Sequence, residues 1–368
     1  MSKQAEFQRR GRATLLWGLA TLALIQAGLR VAIDNVWPTL RDPTFEIKAG
    51  RLERLIAKSP EPPITVLAFG SSVVSNCFRA KQIEDRLTNE FGRRAVVMNM
   101  ASNGGGPLTA LVWTKRLLQR GVRPDVVCVE INPFIFKGLG APGDVRRFLG
   151  PMVLASDLEV LARYGGDPEL PKQYTEFRWF PAYHHRLTML NVLNANLVPA
   201  QDRVQTWNGK IDDRFWAELP ACSSEQRQAA TKQAADNLQN DLRDFTPNEG
   251  TEQALEELLD LLYANQTTTI VVVTPQSEAI RKLYHEENLR GLLQRVHDSC
   301  NRRGQHFVNL AACLPDERFV DGVHPVADGA TTFSQRFGDE VLAPLLSQQL
   351  RKLPWRQAER TTPERMNR

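Results

Sequence analysis

Five short, largely apolar runs, four of them halted by turn residues, constrain this chain more than any other feature. Ile64 to Phe69 stops at Gly70-Ser71-Ser72, and Ala95 to Met98 runs into Asn99-Met100-Ala101-Ser102-Asn103-Gly104-Gly105-Gly106-Pro107. Val126 to Ile131 is capped by Asn132-Pro133, Thr269 to Val273 ends at Thr274-Pro275, and His306 to Leu310 comes last. Runs this short and apolar read as buried strands. Helical spacing fills the intervals at 81–91, 108–120, 251–264 and 288–302, and a last helix is expected over about 325–346. Leu255, Leu258, Leu259 and Leu262 show the spacing best, since they fall on one helical face. Strands and helices alternating at this pace predict a parallel sheet with crossover helices.

The rhythm breaks once. Residues 138 to about 250 carry glycines, prolines and the aromatics Phe177, Trp179, Phe180, Tyr183, Trp207, Phe215 and Trp216, with a polar helix-like stretch at 224–245. A segment of this kind between two sheet strands is expected to be an insertion packed over the carboxyl edge, where open α/β sheets bind ligands. Its plainer reading is a structural subdomain. The aromatics share no single face, which favours a small core of their own over a carbohydrate platform.

Ahead of the alternating region, residues 1–12 are polar and basic, and Ala13 to Leu29 are uncharged and largely apolar. At the helical rise of about 1.5 Å per residue this run spans roughly 25 Å, enough at the short end for a bilayer core. It reads as an uncleaved transmembrane signal anchor over 13–33, against the alternatives of a cleaved signal peptide and a buried helix. No small-x-small cleavage site follows the run, and the basic flank places the amino terminus in the cytoplasm and the body outside it. Residues 34–63 read as a membrane-proximal connector with a short helix at 45–57. Residues 64–351 form the main domain with the insertion at about 138–250, and the polar, basic 352–368 is expected to be disordered. The formal net charge of +4 on 46 basic and 42 acidic residues, with much of the excess at the termini, gives no sign of nucleic-acid binding. The five cysteines lack C-x-x-C spacing and suggest buried thiols, with one disulfide left open.

In a parallel sheet the strand ends share one edge, so Gly70-Ser71-Ser72, Asn103 to Gly106, Asn132 and Asp321-Gly322-Val323-His324 converge there. A serine hydroxyl becomes a nucleophile when an imidazole takes its proton and a carboxylate fixes the ring's tautomer. Ser72, His324 and Asp321 suit those roles. The backbone N–H groups of Ser72 and Gly104 and the side-chain amide of Asn132 are the right types of donor for an oxyanion. Read singly, each motif is weak: Gly-Ser-Ser is a common turn, Asp-x-x-His can cap a helix, and Asn-Pro can simply end a strand. A phosphate cradle at Gly104 to Gly106 lacks the Gly-Lys-Ser/Thr ending. His184-His185 has no third ligand at a recognised spacing, so a metal site there has little support.

Taken in chain order, these blocks resemble the SGNH (GDSL-like) hydrolase superfamily, which contributes Ser, Gly, Asn and His in the same order. Ser72 matches the family nucleophile, Gly104 the oxyanion glycine, Asn132 the oxyanion asparagine, and Asp321-Gly322-Val323-His324 the last block. The resemblance covers about 64–137 and 265–346. It implies a three-layer α/β/α sandwich and a serine esterase or acyltransferase that works through an acyl-enzyme with no metal or cofactor. Three positions depart from the pattern: Ser71 stands for the usual Asp, Asn76 for a glycine, and the third block lacks its glycine and its final Asp. Gly-Ser-Ser variants resemble membrane-anchored acyl-transfer proteins of the cell envelope. That implies an acylated glycan or other ester as substrate and a membrane O-acyltransferase as a possible partner. The alternative reading is a non-catalytic envelope protein of the same fold that binds glycan or such an acyltransferase.

Overall fold

The computed structural model describes residues 3–137, 144, 148, 152–165, 169–199, 211–243 and 245–352. Five parallel strands form one sheet: β1 (Ile64–Phe69), β2 (Ala95–Asn99), β3 (Val126–Ile131), β4 (Thr268–Val273) and β5 (His306–Asn309), in the order β2-β1-β3-β4-β5. The chain builds outward from β1 to β2, then crosses back to place β3 on the other side of β1. The strand order therefore reverses between β1 and β3, the crevice where doubly wound sheets bind ligands.

Period-two alternation divides the strand residues between two buried faces. Val66, Ala68, Val97, Cys128 and Ile270 pack on one side with helices α3 (Ser72–Cys77), α4 (Ala80–Phe91) and α15 (Ala327–Phe337). Leu67, Phe69, Met98, Val129 and Val271 pack on the other with α2 (Pro43–Ala57), α5 (Pro107–Gln119), α12 (Glu249–Ala264) and α14 (Glu286–Arg302). The two clusters make the molecule a three-layer α/β/α sandwich. β5 departs furthest from full burial. It is short, and its exposed His306 and Asn309 keep the sheet edge from offering an apolar template.

Local chemistry sets the helix ends. Helix α4 buries Ala80, Ile83 and Leu87 at helical spacing and stops at Gly92, whose φ of 59° is the left-handed conformation that favours glycine. Helix α12 starts at Asn248, whose side chain accepts from the Thr251 amide, and buries Leu255, Leu258, Leu259 and Leu262. The last expected helix is resolved into α15, a π-helical turn at Gly338–Leu342 and α16 (Ala343–Lys352). The rest of the expected tail lies outside the described residues.

Three expectations need correcting. The 34–63 segment is more than a connector: Phe45, Ala49 and Leu52 of α2 are wholly buried in the main core. Arg116 on α5 reinforces the join, since its guanidinium pairs in the interior with Asp42, the N-cap of α2, and with Asp157 of the insertion. The insertion aromatics form no core of their own. Trp216 is buried against the main body, Phe215 packs on its core, and Trp179, Phe180 and Tyr183 face outward; Trp207 lies outside the described residues. Nor does the whole insertion lie over the carboxyl edge. Its helices α8 (Leu170–Trp179) and α9 (Pro181–His184) pack on α1 (Lys3–Asn35). Residues 211–217 and α11 (Ser224–Arg243) do reach the edge. The remaining insertion helices are α7 (Leu158–Gly165) and α10 (Arg186–Asn194). α6 (Pro133–Phe136) follows β3, and α13 (Glu278–Arg281) follows β4.

Helix α1 is long and apolar enough over Phe7–Asn35 to cross a bilayer, and 6% of its most apolar window is buried inside the molecule. A core helix would hide that face. All five cysteines are free, with Cys77, Cys128 and Cys300 buried.

Candidate active site

The site forms where β1 ends. Gly70 leaves the strand, Ser71 caps α3 by accepting from the Val73 amide through its Oγ, and Ser72 opens the helix. A helix's first N–H groups have no intrahelical acceptor, so Ser72 presents both its hydroxyl and its amide at the sheet edge. Asn99 fastens the neighbouring strand end to this helix. Its Nδ2 donates to the Val74 and Phe78 carbonyls at 2.9 and 3.0 Å, and its Oδ1 accepts from Ala101 N. The buried Lys48 of α2 adds a second clamp, donating to the carbonyls of Asn99 and Ala101.

From the far end of the chain, the Asp321–His324 turn delivers the other two groups. Asp321 Oδ1 accepts from the amides of Val323 (3.0 Å) and His324 (2.8 Å), which folds the turn around its own carboxylate. Asp321 Oδ2 is then left 2.8 Å from His324 Nδ1, and His324 Nε2 lies 2.8 Å from Ser72 Oγ. Gly322 makes the turn possible, since its φ of 82° is left-handed and a Cβ there would meet Ser277 Oγ at 2.7 Å. The His324 and Asp321 side chains are 23% and 31% exposed, so the relay is reachable from solvent. Burial pushes the Asp321 carboxyl up, but the hydrogen bonds and charge of His324 and the turn amides outweigh it and hold the pKa below the usual aspartate value.

The expected oxyanion donors stand at the next two strand ends. The Ser102 amide donates to Gly70 O, which ties the Gly104 loop to the Gly70-Ser71-Ser72 turn. Gly104 has a φ of 64°, and nothing lies within 4 Å of where a Cβ would sit. Conformation, and not crowding, demands glycine there, and the space beside it is open. Gly105 differs: a Cβ there would come within 2.7 Å of Ser102 O. At the following position the Asp144 carboxylate accepts from the amides of Gly106, Leu108 and Thr109. A carboxylate already fills the helix start that the phosphate reading needed. Asn132 is buried, and its Oδ1 accepts from Phe134 N (3.2 Å) and Gln276 Nε2 (3.3 Å). Both bonds fall on the oxygen and not on the NH2 group.

Two of the positions that depart from the expected blocks, Ser71 and Glu130, meet each other. Glu130 stands where the expected third block has a glycine, and it lies buried beneath the Gly70-Ser71 turn. Its carboxylate accepts from the Ser71 amide and from Thr274 Oγ1. A Cβ on Gly70 would come within 2.7 Å of Glu130 Cβ. A carboxyl group entering from β3 thus lies against the backbone of position 71. Burial raises the Glu130 pKa, and the hydrogen bonds of Ser71 and Thr274 and the charge of His324 offset only part of that. Asn76, in place of the other glycine, donates through Nδ2 to Ala217 O, while its carbonyl accepts from Trp216 Nε1, both at 2.6 Å. This couples the insertion to the helix that Ser72 opens. Glu130, Thr274, Gln276 and Tyr284 form the supporting layer that motif reading passed over. The one available signal was a lone glutamate inside Val126-Val127-Cys128-Val129-Glu130-Ile131.

The histidine pair does not converge. His185 Nδ1 lies 3.0 Å from Leu40 O and is buried, whereas the His184 ring sits edge-on to Phe177. Among the described residues no three His, Cys, Asp or Glu side chains come together as a metal site would require.

No protein-family profile matches the chain, and no curated protein matches it significantly. Solved structures similar to it include a candidate acylhydrolase from Bacteroides fragilis, with 12% identity over 83% of this chain and 97% of the other and a TM-score of 0.35. A GDSL-like lipase from Bacteroides thetaiotaomicron has 11% identity over 83% and 98% and a TM-score of 0.34. A gut microbial diltiazem-metabolizing enzyme has 13% identity over 79% of this chain and 48% of its own length, with a TM-score of 0.34.

Proposed function

We propose that the chain is a membrane-anchored serine esterase or O-acyltransferase acting on acyl esters of the cell envelope or an exopolysaccharide. The observation that carries this reading is the line of hydrogen bonds from Asp321 Oδ2 through both nitrogens of His324 to Ser72 Oγ, with 2.8 Å at each step. A carboxylate on Nδ1 selects the tautomer whose bare Nε2 accepts the serine proton. Ser72 Oγ then attacks the ester carbonyl, and the oxyanion that develops is held by the amides of Ser72 and Gly104 and by the Asn132 NH2. Collapse expels the alcohol, which takes the proton from His324, and leaves an acyl-serine. In the second half His324 removes a proton from water or from a sugar hydroxyl, the new oxygen attacks the acyl carbon, and the proton returns to Ser72. The same residues serve hydrolysis and transfer, so the acceptor decides the product.

The basic flank of α1 supports an amino terminus in the cytoplasm and a body outside it. An acceptor hydroxyl on an envelope glycan would then be on the same side as the site, within reach of a polytopic O-acyltransferase acting as donor.

The test is to incubate the full chain with a fluorophosphonate probe and measure its intact mass. Wild type is expected to gain one adduct and Ser72→Ala none. A folded wild type that takes up no probe refutes the enzyme and leaves the non-catalytic glycan- or acyltransferase-binding protein as the reading.

A further inference from the structure

The insertion helices beside α1 carry a surface with no use in acyl transfer. The Ala182 amide donates to Gln26 Oε1 at 3.1 Å, and Arg178 Nη2 pairs with Asp34 Oδ2 at 2.7 Å. Gln26 belongs to the uncharged run of α1. By helical rise it lies about 6 Å on the apolar side of Arg30. The start of α9 is therefore held at a depth that a bilayer around α1 would reach.

Exposed apolar side chains cluster at this level. Outside residues 7–37, eight large hydrophobic side chains are exposed among the described residues, and six of them are Trp179, Phe180, Tyr183, Val192, Leu193 and Leu197. Leu193 is 79% exposed and Trp179 68%. Trp179, Phe180 and Tyr183 sit on or between the two insertion helices that touch α1, and Val192, Leu193 and Leu197 follow on α10 and the turn after it. Cations border the patch. Arg186 lies over the Tyr183 ring at 4.1 Å and donates to Tyr183 O, and Arg30 lines the junction of α1 with α8 and α9. Aromatic rings with basic neighbours are the side chains that settle at headgroup level.

We infer that Trp179, Phe180, Tyr183 and the exposed face of α10 through Leu197 form a second membrane contact, immersed in the headgroup and outer acyl region of the leaflet on the body's side. The partner is the lipid bilayer, because Trp179, Phe180 and Tyr183 adjoin the bilayer-facing surface of α1 at the level of Gln26, and the exposed apolar face of α10 continues from them. The inference rests on α1 spanning the membrane. With this contact the domain is held at two places and cannot swing about a single helix.

The experiment reconstitutes the full chain in phosphatidylethanolamine and phosphatidylglycerol vesicles whose acyl chains are brominated near the headgroup or near the chain end. Tryptophan emission is compared for wild type, Trp179→Phe and Trp17→Phe. The emission assigned to Trp179 by difference should fall about twofold or more with shallow bromines, as expected for immersion to roughly 5–10 Å, and less with deep ones. Trp17, about 7.5 Å inside Arg12 by helical rise, should be quenched by bromolipid whether or not Trp179 is. Quenching of Trp17 with none of Trp179 overturns the second contact and leaves the anchor standing. If neither is quenched, the anchor fails and the inference with it. If Trp179 is shielded from both bromolipid and aqueous iodide, a protein covers the patch, and the lipid assignment is wrong.

Discussion

Replacing Asp321 with asparagine tests the proposed chemistry at its most specific point. Asp321 Oδ1 already accepts from two amides, Val323 N and His324 N. In Asp321→Asn the carbonyl oxygen must keep that place, because an NH2 group there would face two donors. The NH2 group then occupies the former Oδ2 position, 2.8 Å from His324 Nδ1. A donor there requires Nδ1 to be bare, so the proton moves to Nε2 and points at Ser72 Oγ. Ser72 loses its base while the turn keeps its shape. A forced tautomer of this kind costs on the order of 10⁴ in turnover, or about 5 kcal/mol of transition-state stabilisation. The assay is hydrolysis of a short-chain p-nitrophenyl ester by the full chain, with kcat and KM measured separately. The expected outcome is kcat down by about 10³ to 10⁴ with KM little changed. A loss below tenfold in a folded variant would refute the tautomer argument, and with it the base role of His324.

Other perturbations follow from the same structure. Glu130→Gln should flatten the pH dependence of stability above the ordinary carboxylate range. A carboxyl whose folded pKa is raised holds a proton in the fold that the unfolded chain has lost, so stability falls as pH rises from about 4.3 towards the folded pKa, and removing the group removes that limb. Thermal melts of both proteins from acid to neutral pH measure it. Gly322→Ala forces a side chain into a left-handed φ and against Ser277 Oγ. The strain alone is about 1–2 kcal/mol, and urea titration should show it together with a loss of esterase activity from the displaced His324. Arg116→Ala leaves Asp42 and Asp157 buried without their cation, and chemical denaturation should register a loss of about 3–5 kcal/mol. Leu258→Ala, at a fully buried position of α12, should cost about 2–5 kcal/mol without altering KM.

The sheet was legible because buried parallel strands must be short, apolar and closed by turn residues, and all five apolar runs became strands. The meeting of Ser72, His324 and Asp321 was legible for a related reason: strand ends in such a sheet share an edge, so sequence distance matters little. Glu130 was not, because nothing in a motif says which way a side chain points; only the pairing of β1 with β3 places that carboxylate under Ser71. The exposed aromatics misled for the opposite reason. Aromatic residues serve a core and an interface equally well, and their partner is decided by the Ala182 to Gln26 contact, across 156 positions. Residues 34–63 read as a spacer because their charges suggest solvent, whereas Glu46 is drawn into the interior by Arg41 and Arg120.

The burial of α2 has a mechanical consequence. Helix α1 ends at Asn35, Leu40 is already buried, and Phe45 is in the core, so the link between α1 and the sheet domain has almost no slack. A spanning α1 would hold the serine at one height above the lipid. Substrates would have to be carried to that height, and a soluble version cut at Ile64 would lose Lys48 from the Asn99–Ala101 loop along with its tether.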